Sequence, residues 1–84
     1  LEAATVVLDP PRTGAGRDVM ALLTRLAPAQ LVYVACDPVA LARDVAFATA
    51  AGYRLTRVKA LDMFPHTHHV EAVATLVREG HASE

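Results

Sequence analysis

Three side chains of this sequence, Asp9, Cys36 and Glu71, stand where reactive groups are useful. Cys36 follows the apolar run Leu31-Val32-Tyr33-Val34-Ala35 and precedes Asp37-Pro38. A sulfur at such a junction lies near the start of a helix, where the dipole favours the thiolate, the form of cysteine that attacks electrophiles. The plainer account of a lone free cysteine is a small buried hydrophobe, and the adjacent Asp37 disfavours a second negative charge. Asp9 stands before Pro10-Pro11, whose restricted backbone aims its carboxylate with little freedom. Its competing role is that of a turn former. Glu71 opens an apolar run between Val70 and Ala72. A carboxylate among apolar neighbours takes up a proton readily, as a general base must, whereas one at a sheet rim is simply solvated.

Two other groupings carry less chemistry. His66, His68 and His69 lie close to Glu71, but their spacing matches no specific metal-ligand pattern, and no metal site is expected. Gly14-Ala15-Gly16 begins like a dinucleotide fingerprint, yet Val19 stands where its third glycine belongs, so a flexible helix entry describes it better.

The elements that must position these residues can be read from periodicity. Thr5-Val6-Val7-Leu8 is a short strand stopped by Asp9-Pro10-Pro11. Over Arg17 to Ala27, Val19, Leu22, Leu23 and Leu26 fall at helical spacing, and Pro28 closes the helix. Leu31 to Ala35 is a second strand, after which Asp37 as N-cap and Pro38 at the first helical position open a second helix. Leu41, Val45 and Ala48 mark its buried stripe and Gly52 its end. Tyr53 and Leu55 alternate with Arg54 and Thr56, the start of a third strand running toward Leu61. Val70 to Val77 fits either a helical stripe or a strand covered on both faces, and Gly80 to Glu84 reads as a frayed tail. Strands alternating with helices across short connections predict an α/β fold with a parallel sheet, whose ligands gather beyond the carboxyl ends of the strands.

Composition bounds what such a chain can do. It has 84 residues, 54% of them hydrophobic and 20% charged, which excludes intrinsic disorder. Lys and Arg number 8 against 9 acidic residues, and a net charge of −1 excludes a polybasic strip that grips nucleic acid unaided. The single Cys allows no internal disulfide, so a reduced, cytoplasmic setting is expected. No apolar run approaches membrane-spanning length. The small size and the abrupt opening on Leu1-Glu2-Ala3-Ala4 predict a piece of a larger domain.

Taken together, Leu8-Asp9-Pro10-Pro11-Arg12-Thr13-Gly14, Tyr33-Val34-Ala35-Cys36-Asp37-Pro38 with Leu41-Ala42-Arg43-Asp44, and Asp62-Met63-Phe64-Pro65-His66-Thr67-His68-His69-Val70-Glu71 resemble the RNA (uracil-5-)-methyltransferase family. Its members form 5-methyluridine in transfer or ribosomal RNA with S-adenosylmethionine. The resemblance runs from Val6 to about Leu76 and covers only the C-terminal half of the family's catalytic domain. It implies a Rossmann-like, three-layer α/β/α methyltransferase fold whose mixed sheet ends in an antiparallel strand. It further implies that Cys36 is the nucleophile, Glu71 the proton-abstracting base and Asp9 an S-adenosylmethionine contact, with RNA as partner. Most cofactor contacts would then lie in an upstream half, leaving residues 1–84 inactive by themselves. The family's usual Ser-Cys-Asn-Pro is here Ala35-Cys36-Asp37-Pro38, which removes one hydroxyl and adds one charge.

Two other functions compete with this one. A Cys36-His69-Glu71 acyl hydrolase or amidotransferase would need small residues flanking its nucleophile, where Val34 and Pro38 stand. A non-catalytic α/β interaction fragment would expose sheet edges and helix faces and self-associate.

Overall fold

The β-branched run Thr5–Leu8 forms strand β1 and ends where Pro10 and Pro11 withhold the amide hydrogens a ladder needs. In the computed structural model, which describes residues 3–61 and 71–80, it is followed by α1 (Arg17–Leu26), β2 (Gln30–Ala35), α2 (Pro38–Ala50), β3 (Tyr53–Leu61) and β4 (Glu71–Arg78). Each boundary expected from the apolar periodicity falls within a residue or two of its place. The expected tail beyond Gly80 lies outside the described residues.

The sheet order is β1-β2-β4-β3. β1 and β2 run parallel, whereas β4 inserts between β2 and β3 and is antiparallel to both. This settles the ambiguity over Val70 to Val77: the segment is a strand with a neighbour on each edge, and its residues are buried or half-buried on both faces. Apolar residues stand on both its buried and its half-buried face, which is why it reads as continuously apolar rather than alternating. It also agrees with the antiparallel final strand that the family resemblance implies.

Tyr33, Leu31 and Leu76 are fully buried on the face that receives the helices, where Met20, Leu41 and Ala48 pack on them. Alanines at positions 48 and 74, both without exposed surface, let α2 approach the sheet closely. Truncating Leu31 or Leu76 to Ala would cost about 2–5 kcal/mol. Both helices belong to this one core, so the described residues supply two of the three expected layers.

Two details depart from the sequence pattern. On α1 the side turned inward carries Met20, 1% exposed, with Leu23 half-buried, while Leu22 is 53% exposed and Val19 and Leu26 are also open. The apolar stripe is wider than the contact available to it, and periodicity locates its middle rather than its buried edge. On β3 a bulge between Leu55 and Arg57 shifts the register, so odd residues pair on the Leu76 side before it and even residues after it. The simple alternation seen at Tyr53 and Leu55 therefore does not carry through to Leu61.

At the rim opposite the carboxyl end of β2, the Tyr53 hydroxyl donates to the Pro28 carbonyl at 2.5 Å and Arg78 Nη1 donates to the Ala27 carbonyl at 2.5 Å. These bonds tie the turn before β2 to the ends of β3 and β4.

Candidate active site

The antiparallel insertion of β4 gathers one set of strand ends at a single rim. Ala35 pairs with Ala72 and Leu61 pairs with Glu71. Cys36 is thus one residue beyond the last β2–β4 rung, and Glu71 is one residue before it on the facing strand. Both are half-buried. Leu8 pairs with Tyr33, so the exposed Asp9 ends β1 level with Val34, on the near side of the same rim. Cys36 then stands about two residues, or roughly 7 Å, farther along the strand direction. The structure brings Asp9, Cys36 and Glu71 to one edge. His66, His68 and His69 lie outside the described residues, among which no group of metal-binding side chains occurs.

The start of α2 fixes the cysteine's surroundings. Asp37 is the N-cap, and its Oδ1 accepts from the Val39 amide at 2.8 Å, with Pro38 occupying the first turn as expected. A cap of this kind contributes about 0.5–2 kcal/mol. The carboxylate beside Cys36 is therefore bonded to the helix start.

The loop from Asp9 to Gly16 is held from below by Asp44, which stands in the Leu41-Ala42-Arg43-Asp44 motif. Asp44, on α2, has a side chain with no exposed surface. Its Oδ2 accepts from the Tyr33 hydroxyl at 2.5 Å and the Ala15 amide at 2.8 Å; its Oδ1 accepts from the Gly16 amide and from Arg43, each at 3.3 Å. Burial by itself would raise this carboxyl, but the Tyr33 and Ala15 hydrogen bonds and the Arg43 charge outweigh it and hold the group below the ordinary carboxylate range. Tyr33 is pushed the other way, above the ordinary phenol, first by burial and then by its bond to Asp44. Asp44 lies three residues after Leu41 and four before Ala48, so its place on the buried stripe was the available signal.

Gly14 completes the loop. Its amide donates to the Pro11 carbonyl at 2.7 Å, its φ is 87°, and a Cβ there would stand 2.5 Å from Arg43 Nη2 and 2.7 Å from Asp44 Oδ2. Only glycine meets both demands. Beside this loop, a groove of about 460 Å³ along β1 is lined by Val6, Leu8, Pro10, Val19 and Leu23, with Asp9 at its lip. An apolar cleft with one carboxylate suits an organic ligand that carries a positive charge.

A family model described as tRNA (uracil-5-)-methyltransferase matches residues 1–79. Among curated proteins the chain is 51% identical, over 76 residues, to an uncharacterized RNA methyltransferase of Thermotoga maritima, covering 90% of this chain and 17% of that protein. It is 53% identical over 74 residues to the 23S rRNA (uracil(1939)-C(5))-methyltransferase RlmD of Yersinia enterocolitica, covering 88% and 16%. Among solved structures it resembles the Pyrococcus abyssi tRNA (uracil-54, C5)-methyltransferase in complex with S-adenosyl-L-homocysteine, with a TM-score of 0.76 and 49% identity over 87% of this chain and 18% of that one. The chain spans about one sixth of the length of these relatives.

Proposed function

Since the chain belongs to the tRNA (uracil-5-)-methyltransferase family, we propose that it carries the nucleophile and the base of an S-adenosylmethionine-dependent enzyme that methylates uracil carbon 5 in ribosomal or transfer RNA. The observation that carries this reading is the β2–β4 register, which sets Cys36 and Glu71 on facing strands at one rim. The reaction asks for a nucleophile and a base close together.

Cys36 adds its thiolate to uracil carbon 6, and the electron pair of the ring double bond moves onto the carbon 4 carbonyl as an enolate. Carbon 5 becomes nucleophilic only through that addition. S-adenosylmethionine supplies an electrophilic methyl group when bound. Once carbon 5 is methylated it still holds its proton, which Glu71 removes; the returning electron pair rebuilds the ring double bond and expels the Cys36 thiolate. Asp9 is the cofactor contact, its carboxylate at the lip of the β1 groove offering a negative charge to a cationic ligand. The target base must be unstacked to reach the rim, as is usual for enzymes that act on a base.

RNA is then the partner and the cytoplasm the setting, where that RNA is found; no helix among the described residues is long and apolar enough to cross a membrane. Residues 1–84 alone are inactive, because they match only 16–18% of the RlmD and Pyrococcus relatives and lack the rest of such an enzyme. The test is a covalent, mass-shifted adduct between the full-length parent protein and RNA containing 5-fluorouridine, formed with S-adenosylmethionine and lost in Cys36→Ala. Absence of an adduct with competent RNA and cofactor, or its persistence in Cys36→Ala, would overturn the reading.

A further inference from the structure

We propose that Asp44 is a positioning residue for this site: its buried carboxylate sets the Asp9–Gly16 loop against α2, so that the Asp9 and Cys36 sides of the site are held in one geometry. The inference rests on the reading of Asp9 as a cofactor contact and deepens it.

A carboxylate with no exposed surface needs several donors to offset its desolvation. The donors of Asp44 come from three places: the Tyr33 hydroxyl on β2, the Ala15 and Gly16 amides of the loop, and Arg43 on α2 itself. Arg43 adds a second hold, donating through Nη2 to the Thr13 carbonyl at 2.7 Å. Gly14, between these bonds, packs against both Arg43 and Asp44. Four consecutive residues, Thr13 to Gly16, are thus fixed to α2, and the segment Asp9 to Arg12 leads directly into them. α2 itself begins two residues after Cys36. Asp44 therefore joins the two chain segments that carry the acidic and thiol groups.

Both oxygens are needed. Oδ2 serves Tyr33 and Ala15, and Oδ1 serves Gly16 and Arg43. In Asp44→Asn one of these donor pairs faces an amide NH₂ instead of an acceptor, whichever way the amide turns. The side chain keeps its shape and loses one of its two bonds to the loop amides.

The experiment compares full-length wild type, Asp44→Asn, Tyr33→Phe and Asp9→Ala by calorimetric titration with S-adenosyl-L-homocysteine and by hydrogen exchange of peptides spanning residues 9–16. Both are measured at a temperature where circular dichroism shows each variant folded. Asp44→Asn is expected to weaken binding about tenfold and Tyr33→Phe less, since a hydrogen bond to a charged group contributes about 1.5–3 kcal/mol. Exchange should quicken in the loop and stay unchanged in β2 and β4. Unaltered binding by Asp44→Asn, or exchange that quickens equally throughout the core, would overturn the proposal and leave Asp44 a stabilising residue only. If Asp44→Asn does not fold, Tyr33→Phe and Arg43→Met decide by the same two readouts. Asp9→Ala separates the two readings: wild-type affinity in that variant removes the cofactor role of Asp9, while the Asp44→Asn result still decides whether the loop is positioned.

Discussion

Cys36 and Glu71 stand one step outward from the rung that pairs Ala35 with Ala72, on strands running in opposite directions. Their separation along the chain is 35 residues, and only the antiparallel entry of β4 brings them to one edge. Glu71 is also paired through its backbone with Leu61, so its position is braced from the side away from β2.

If Glu71 is the base, Glu71→Gln blocks the last stage and not the first. With ordinary uridine RNA and cofactor, turnover in the full-length protein should fall by about 10²–10⁴ while the covalent protein–RNA species accumulates on a denaturing gel. Product release at the wild-type rate would assign the proton transfer to another group.

Gly14→Ala should destabilise the parent protein by more than Gly52→Ala. Both positions have positive φ, 87° and 100°, but a Cβ at Gly52 meets nothing within 4 Å, whereas one at Gly14 collides with Arg43 and Asp44. Strain alone costs about 1–3 kcal/mol. Equal shifts in thermal melting would show that the loop gives way without penalty.

The depressed Asp44 carboxyl makes a stability contribution that depends on pH in a known direction. It is fully present above the ordinary carboxylate value of about 3.9 and is lost as pH falls through the lower value of the folded state. The difference in unfolding free energy between wild type and Asp44→Asn should accordingly be constant near neutrality and shrink below about pH 4. A difference that stays constant under acid denaturation would place the benefit in shape and not in charge.

Asp37→Asn should leave the melting temperature nearly unchanged, because Asn caps a helix as well as Asp, while Asp37→Ala should lose about 1 kcal/mol. Urea titration of the two variants checks this, and a large loss in Asp37→Asn would point to a need for the charge beside Cys36.

The isolated 84-residue chain should self-associate. β1 and β3 are the outer strands of the described sheet, and Val7, 66% exposed, stands on the outer strand β1. Sedimentation velocity across a range of concentrations should show species heavier than a monomer; a clean monomer throughout would remove this expectation.

The order and kind of the first five elements were legible because prolines and glycines punctuate them: Pro10, Pro28, Pro38 and Gly52 each stand at a boundary. The places of Asp9 and Cys36 were legible for the same reason, since each stands beside a proline-marked strand end, whereas Glu71 could be set at a strand end only once β4 was known to be a strand. What was not legible depended on neighbours. The β4 segment could not be told from a helix until β2 and β3 were seen to cover both its edges. Asp44 falls on the buried stripe of α2 with Leu41 and Ala48, but what offsets the burial of its carboxylate is not visible until the loop amides that face it are known. The β3 bulge has no marker residue of its own, because Leu55 to Arg57 contains neither Gly nor Pro.

The insertion of β4 has a consequence for how the protein comes off the ribosome. In the described sheet β3 touches only β4, so a nascent chain that has emerged through residue 70 holds the thiol at Cys36, lacks the carboxylate at Glu71, and has one strand with nothing to pair with. The segment that closes the sheet is the one that carries Glu71. Completion of the described sheet and arrival of Glu71 at the rim are thereby tied to one stretch of chain, and a product that ends before it has an unpaired β3 and an unfinished core, the kind of exposed edge that leads to aggregation.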